Sequence, residues 1–159
     1  MPGTGRMIEV RIIIPLEQRT KKNGMRILRS WKTGKPFAVP SKEYADYLDQ
    51  ALMILSAARA RNGIRKPIDK PVNVKAVYFM ATRQMVDITN LHEGLHDALV
   101  DAGILQDDNS RIVYSTDGSR VRYDKWNPRT EVVITEITDE EELKEWERMI
   151  PRERGRKTD

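Results

Sequence analysis

The chain has 159 residues, of which 39% are hydrophobic and 33% charged, and this length and composition predict one folded domain with its own core. There is no apolar run long enough to span a membrane, no apolar signal region at the start and no cysteine, so we expect a cytoplasmic protein with neither a disulfide nor a thiolate metal site. The net charge of +4 combines a basic block at residues 19–35 with an acidic block at residues 136–147, which favours a polyanionic partner, although charge alone equally fits an ordinary solvated surface.

The N-terminal half is predicted to contain a strand, a hairpin and a long helix. Residues 1–7 are expected to be flexible, whereas residues 8–14 alternate and then run apolar, as a strand does. Residues 25–39 predict a hairpin with a glycine in its turn. Ser41 is a good N-cap, and apolar residues recur after it at helical spacing, which predicts a helix over residues 41–61 that packs one face on a core.

The C-terminal half is predicted to contain a central strand, a helix, three short strands and a last helix. Residues 72–80 alternate and then turn apolar, which is typical of a central strand. A helix is expected over residues 90–102, with a glycine following it as the C′ residue. Three short strands within residues 111–137, joined by tight turns, predict an antiparallel meander. A capping-box spacing beginning at Thr138 predicts a helix over residues 138–149, before a basic tail at residues 151–159.

Together these elements predict the α/β class in its α+β form. Residues 8–150 would form a single domain, with a mixed β-sheet and two main helices, at residues 41–61 and 90–102, packed on it.

Three acidic residues flank the helix predicted at residues 90–102. Asp87 lies just before this helix, and Asp107 and Asp108 lie just after it. Both positions fall at the ends of elements, where loops can converge. Mg²⁺ takes oxygen ligands in proteins, so we predict that these three carboxylates form a metal site.

A simpler local role fits each of these residues on its own. Asp87 can be an N-terminal charge favoured by the helix dipole, and Thr89 or Asn90 can be an N-cap. Asp107 and Asp108 can belong to an ordinary turn. Only the combination of positions favours a metal site over these local roles.

The order and spacing of these residues resemble the RusA family of Holliday-junction resolvases. Asp87-Ile-Thr-Asn90 is similar to that family's Asp-x-Asp-Asn helix start, Asp97-Ala98-Leu99 to its Asp-Ala-Leu segment, and Asp107-Asp108 to its acidic pair. Upstream, Lys21-Lys22-Asn23 and Pro40-Ser41-Lys42-x-Tyr44 resemble the phage and prophage branch of the family. The likeness extends from about residue 8 to residue 137.

The resemblance implies a homodimeric nuclease that hydrolyses phosphodiester bonds with Mg²⁺ or Mn²⁺. Its substrate would be a four-way DNA junction, nicked symmetrically in recombination and repair. The resemblance also implies catalytic and metal-binding roles for Asp87, Asp107 and Asp108, a supporting role for Asn90 and a structural role for Asp97. A twofold dimer would present two sites to a junction that is itself nearly twofold symmetric.

Two residues depart from the family pattern. Thr89 stands where the second Asp of the helix start is expected, and Glu93 stands where a helix lysine is expected. A neutral hydroxyl is a poorer metal ligand than a carboxylate, so the site loses a charge. Because Glu93 shares the polar face of the helix with Asn90 and Asp97, we predict that Glu93 supplies the lost carboxylate and that Thr89 has a supporting role. The same departures also fit a site that has lost activity.

Basic residues near the N-terminus are predicted to contact the DNA backbone. They are Arg19, Lys21, Lys22, Arg26, Arg29 and Lys42. Phosphate contacts of this kind position DNA without reading its sequence. The three tryptophans, Trp31, Trp126 and Trp146, are candidates for DNA stacking or a dimer interface, although packing within the fold is the more common role of such residues.

Two other functions fit parts of the sequence. His92-Glu93-Gly94-Leu95-His96 matches the His-Glu-x-x-His pattern of zinc peptidases, in which both histidines share a helix face and the glutamate is a general base. The chain has no other histidine, so a third zinc ligand would have to be a carboxylate. The second alternative is a protein that binds branched DNA without cutting it, which would bind a junction but leave it intact in Mg²⁺ or Mn²⁺.

Overall fold

Seven strands and three helices make up the part of the chain that the computed structural model describes, residues 7–21, 26–39 and 41–151. The strands are β1 (Glu9–Ile14), β2 (Arg26–Arg29), β3 (Pro36–Val39), β4 (Val72–Met80), β5 (Val113–Ser115), β6 (Arg120–Tyr123) and β7 (Arg129–Glu136), and the helices are α1 (Lys42–Arg61), α2 (Ile88–Asp101) and α3 (Glu140–Met149). None of these helices is long and apolar enough to cross a membrane. Predictions for residues 1–6, 22–25, 40 and 152–159 lie outside the described residues.

Strand β4 is the central strand of the main sheet, as its apolar pattern predicted. β7 pairs antiparallel along one side of β4, and β1 pairs antiparallel with β7. On the other side, β5 pairs with the first residues of β4 and β6 with its last residues, both in parallel. The predicted antiparallel meander is therefore wrong. Because α2 carries the chain back to the start of β4, the strand that follows α2 runs parallel to β4.

The core lies between one face of this sheet and the helices α1 and α2. Alternate residues of the strands point inward, among them the fully buried Val74 and Ile134. Leu91, Leu95 and Leu99 lie on one face of α2 and are also fully buried against the sheet. Burying a leucine or valine side chain stabilises a fold by about 1.5–3 kcal/mol. The predicted α+β domain, a mixed sheet with two main helices packed on it, is confirmed.

The helix ends follow capping chemistry, with two corrections. Ser41 caps α1 by accepting a hydrogen bond from the Tyr44 backbone N–H at 3.2 Å, as predicted. α2 begins earlier than predicted because its N-cap is Asp87 rather than Thr89 or Asn90. α3 is capped by Asp139 and not by Thr138, since aspartate is the better N-cap residue and its carboxylate accepts from the Glu142 backbone N–H. Gly103, at φ +72°, is the C′ residue predicted after α2.

Strands β2 and β3 form the predicted hairpin as a separate two-stranded sheet. Both of its faces present large apolar side chains to solvent, including Ile27, Leu28 and Phe37. A hairpin of two strands is marginally stable by itself, so this element depends on its surroundings more than the main sheet does.

The ends of the strands form two opposite borders of the main sheet. β1, β4 and β6 run in the same direction, so their carboxyl ends meet along one border, which we call the carboxyl edge (residues 15–21, 81–87 and 124–128). There the Glu17 carboxylate accepts from the Ala81 backbone N–H at 2.7 Å. The opposite border lies before β4, where Leu105 forms a bridge with Ile68, and we call it the amino edge (residues 66–71 and 104–112).

Candidate functional site

Asp87 is the N-cap of α2 at the carboxyl edge. Its Oδ1 accepts hydrogen bonds from the backbone N–H of Thr89 at 3.0 Å and from the Thr89 hydroxyl at 2.6 Å. Its backbone carbonyl accepts from the N–H of Asn90 at 3.1 Å. Asp87 thus has the capping role that was predicted for Thr89 or Asn90, and its carboxylate remains on the surface. Thr89 orients that carboxylate.

Asp107 and Asp108 form an exposed acidic pair at the amino edge. The Asp107 carboxylate accepts from the backbone N–H of Asp108 at 2.7 Å and from the Asn109 amide at 3.1 Å, as in a turn. The backbone hydrogen bond from Asp108 is the main reason that the pKa of Asp107 is lowered. Partial burial raises the pKa of Asp108, and its hydrogen bond with Asp107 and the charges of Asp107 and Asp97 raise it further.

Helix α2 separates Asp87 from the acidic pair. Its 14 residues, at a rise of about 1.5 Å each, span about 21 Å. Asp87 lies at the N-terminus of this helix, whereas Asp107 and Asp108 follow its C-terminus. Within residues 7–21, 26–39 and 41–151, no group of three or more histidine, cysteine, aspartate and glutamate side chains is placed to hold a metal ion. The expected convergence of these loops in one chain is therefore not found, and the ligand roles of the three acids stay a prediction.

The polar face of α2 holds the basic loop that follows β1. Lys21 Nζ lies 2.8 Å from Asp97 Oδ2, and this hydrogen bond raises the pKa of Lys21, with the charge of Asp97 adding to the effect. The charges of Glu93 and Asp101 act on Lys21 in the same direction. Asp97 therefore ties the loop after β1 to α2 through Lys21, whereas Glu93 is exposed one turn closer to Asp87.

Gly94 and Gln18 position the same loop, and the sequence analysis did not identify either of them. Gln18 is buried, donates to the Arg19 carbonyl at 2.9 Å and accepts from the Tyr47 hydroxyl at 2.7 Å. A Cβ placed on Gly94 would lie only 2.8 Å from the Arg19 carbonyl oxygen. The signal in the sequence was a glycine inside an otherwise regular helical pattern, which indicates a close backbone approach.

A cleft of about 390 Å³ opens at the carboxyl edge. It is lined by the loop that follows β1, the loop that follows β4 and the first turn of α2. Asp87, Asn90 and Arg19 line it together, so one predicted metal ligand, one supporting residue and one predicted DNA contact share this cleft. Arg19 is exposed and lies 3.4 Å from Glu17.

The remaining basic residues predicted to contact DNA lie on other elements. Arg29 is exposed on β2, and Lys42 is exposed at the first residue of α1. Arg26 begins β2, and Lys22 lies outside the described residues. Their DNA contacts stay a prediction.

His92 and His96 are arranged as packed helix residues. The Tyr78 hydroxyl lies 2.6 Å from His92 Nδ1, and the two imidazole rings stack with 6° between their planes and 5.3 Å between their centres. Nitrogen lone pairs lie in the ring plane, so stacked parallel rings do not direct them to one shared ion. Burial lowers the pKa of both histidines, that of His96 to about 4. This geometry favours packing over the zinc-peptidase interpretation.

Two of the three tryptophans are on the surface. Trp31 is 89% exposed and Trp126 is 87% exposed, so packing within the fold does not explain them. Trp146 is half-buried and its indole N–H donates to the Arg111 carbonyl at 2.9 Å, which joins α3 to the segment before β5. Of the three tryptophans, only Trp146 packs within the described part of the fold.

Comparison with known proteins identifies one family. The model of the family described as endodeoxyribonuclease RusA matches residues 15–135, which is more than half of the chain. The matched region runs from the loop after β1 to the end of β7 and contains Asp87, Asp107 and Asp108. No curated protein matches the sequence.

Proposed function

Because the chain belongs to the RusA endodeoxyribonuclease family, we propose that it is a Mg²⁺-dependent endonuclease that resolves four-way DNA junctions by paired nicks. The family acts on branched DNA junctions. The structural observation that carries the proposal is the cleft at the carboxyl edge, which Asp87, Asn90 and Arg19 line together. A cleft lined by both kinds of side chain suits a phosphodiester, because the cation can bind the phosphate and the carboxylate can serve its hydrolysis.

The proposed roles follow from the chemistry of phosphodiester hydrolysis. The substrate is a stable anion, and metal ions bound by carboxylates supply both charge neutralisation and an activated water. Asp87, Asp107 and Asp108 offer the carboxylate oxygens that Mg²⁺ or Mn²⁺ takes as ligands. Burial and then its acidic neighbours raise the pKa of Asp108, and a divalent ion bound beside it would favour the ionised form.

A homodimer would complete the site that one chain leaves divided. Asp87 is the N-cap of α2, whereas Asp107 and Asp108 follow its C-terminus, and the helix itself is about 21 Å long. In a twofold dimer with α2 of each copy antiparallel to the other, Asp87 of one copy would meet Asp107 and Asp108 of the second copy. Symmetry would produce two such sites, one for each nick.

Glu93 is proposed as a further ligand that replaces the carboxylate missing at Thr89. Glu93 is exposed in the second turn of α2, on the polar face that begins near Asp87. Thr89 is a positioning residue, since its hydroxyl and backbone N–H both donate to Asp87. Asn90 supports the same turn through its backbone bond to the Asp87 carbonyl.

The DNA backbone is proposed to follow the exposed cations from the cleft to the hairpin. Arg19 lines the cleft, and Arg29 and Lys42 are exposed on β2 and α1. Lys22 and Arg26 are proposed as contacts from their place in the sequence alone. Lys21 is already paired with Asp97, so a phosphate would have to compete with that carboxylate. Such contacts make junction affinity fall steeply as salt increases.

The proposal is tested with a labelled four-way junction incubated in Mg²⁺. We expect the parent protein to nick opposing strands and Asp108→Asn to lose at least about 100-fold of the nicking rate, since one proposed ligand loses its charge. Asp49→Asn, an exposed aspartate on α1, is the matched control and should cut like the parent. Equal cutting by Asp108→Asn and the parent would overturn the site assignment. Junction binding by the parent without any nicking, in Mg²⁺ and in Mn²⁺, would instead favour a binding protein without catalysis.

A further inference from the structure

A tight turn after β6 holds Trp126 out in solvent. The Asp124 carboxylate accepts from the backbone N–H groups of Trp126 at 3.2 Å and Asn127 at 3.1 Å. Its other oxygen lies 2.9 Å from Arg129, a hydrogen bond that lowers the pKa of Asp124. Trp126 is nevertheless 87% exposed. The indole therefore projects from an ordered turn, and its exposure is not the result of a poorly packed loop.

Cationic side chains accompany the exposed aromatic residues of this turn and of β6. Lys125 Nζ lies 5.0 Å from the centre of the Trp126 ring, and the Arg83 guanidinium lies 4.9 Å from the centre of the Tyr123 ring. Arg120 and Arg122 are exposed on the neighbouring strand β6. The one acid of the turn, Asp124, is already paired with Arg129. We call this set, Arg83, Arg120, Arg122, Tyr123, Lys125 and Trp126, the aromatic basic strip.

The aromatic basic strip borders the cleft that contains Asp87. The backbone N–H of Asp124 donates to the carbonyl of Met80 at 2.9 Å, and Met80 lines the cleft. A ligand held in the cleft can therefore continue onto the strip along the same carboxyl edge.

Protection of the exposed strand β6 explains the arginines of the aromatic basic strip but not its tryptophan. Arginines on an exposed edge strand discourage pairing with other chains. An exposed tryptophan does the opposite, because it adds apolar surface beside that edge. Aromatic rings next to cations are instead the combination that binds unpaired nucleotides, since every base has a face that stacks and every linkage carries a negative charge.

We propose that the aromatic basic strip binds an unpaired nucleotide of the DNA substrate, with its base stacked on Trp126 and its flanking phosphates on Lys125 and Arg122. This inference rests on the proposed function, since it places the strand that is unstacked at the branch point beside the cleft. Trp126 would distinguish branched DNA from a continuous duplex, whose bases are stacked on each other and not available to the indole.

The first test compares tryptophan variants in junction binding, measured without divalent ions so that no strand is cut. We expect Trp126→Ala to weaken the affinity for a four-way junction by about 5- to 100-fold, the effect of losing one stacked base, and to change the affinity for a linear duplex less than twofold. Trp126→Phe should keep most of the junction affinity because it keeps an aromatic face. Met53→Ala, which removes a large exposed apolar side chain from α1, is the control and should bind like the parent. Junction binding by Trp126→Ala as tight as that of the parent would overturn the proposal.

A second test separates this inference from the proposed function. The difference in emission between Trp31→Phe and Trp31→Phe/Trp126→Phe reports Trp126 alone, and a single-stranded oligonucleotide should quench it by stacking. Quenching by this probe in a protein that neither prefers nor cuts junctions would retain the strip as a nucleotide site and reject the resolvase function. No quenching in a protein that does cut junctions would reject the strip and retain the resolvase function.

Discussion

At the scale of single residues, Gly94 determines how closely the basic loop approaches α2. Replacing an exposed helical glycine by alanine stabilises a helix by about 1 kcal/mol. At position 94 the added Cβ would lie 2.8 Å from the Arg19 carbonyl and 3.0 Å from the Gln18 side chain. We therefore expect Gly94→Ala to lower the free energy of unfolding by about 1–3 kcal/mol, the usual effect of overpacking. Urea unfolding measures this, with Ser56→Ala on the exposed face of α1 as a control. An increase in stability on Gly94→Ala would contradict the close approach.

His96 predicts a pH dependence of stability. Burial is the main reason that its pKa falls to about 4, the positive charge of His92 contributes, and the charge of Asp97 opposes the shift. In the unfolded chain the pKa is near 6.5, so between these two pH values the unfolded state binds the additional proton. The free energy of unfolding should therefore fall as the pH decreases from about 6.5 to about 4, by on the order of 2 kcal/mol from this residue.

The measurement for His96 is urea unfolding of the parent and His96→Leu at pH 7 and pH 4.5. Other groups titrate in this range, so the informative quantity is the difference between the two proteins. The variant should lose less stability than the parent on acidification. An equal loss in both would mean that His96 is not held neutral by burial.

Individual site residues could be predicted from the sequence more readily than their separation. Asp87, Asp107 and Asp108 were chosen for their positions before and after a predicted helix, and the structure places Asp87 at the N-cap of α2 and the other two in the loop between α2 and β5. The helix between them was predicted, but their distance apart was not, because it also depends on the path of the loop from α2 to β5, which no local pattern determines. Gly94 and Gln18 were missed because their role depends on a contact between segments far apart in the chain.

At the scale of elements, the first two turns of α2 contain Thr89 and Glu93, the two residues that depart from the family pattern. We expect Glu93→Gln to reduce junction nicking by at least about 10-fold, because it removes a proposed ligand charge. Adding Thr89→Asp to that variant should restore much of the rate, since it returns a carboxylate to the helix start, where the dipole also favours it. The nicking rate of a labelled junction measures both changes.

The control for this exchange is Glu43→Gln, which neutralises an exposed glutamate in the first turn of α1. It should nick at the parental rate. Parental nicking by Glu93→Gln would show that Glu93 is not a ligand, and the site would then rest on the aspartates alone.

Elements with a strong local signal were predicted well, and elements defined by distant partners were not. α1 follows from Ser41 and a regular apolar stripe, both of which are local features of the sequence. β5 and β6 are short strands whose partner is β4, more than 30 residues earlier in the chain. Tight turns around them predicted a meander, whereas the pairing is decided by the return of the chain through α2.

At the scale of the whole molecule, the proposed metal site depends on a second copy of the chain. One chain divides the proposed ligands between the two ends of α2, and a twofold axis would bring opposite ends together. This arrangement predicts that a defect at Asp87 in one copy and a defect at Asp108 in the other copy fall in the same site. The second site of such a dimer would then be intact.

The most direct test uses a mixed dimer of Asp87→Asn and Asp108→Asn, co-expressed with two different tags and purified through both. Each variant alone should be inactive on a labelled four-way junction in Mg²⁺. The mixed dimer should cut one strand at each junction, at about half the parental number of nicks, because one of its two sites carries no substitution. A mixed dimer as inactive as either variant alone, or no mixed dimer at all, would contradict a site shared between two copies of the chain.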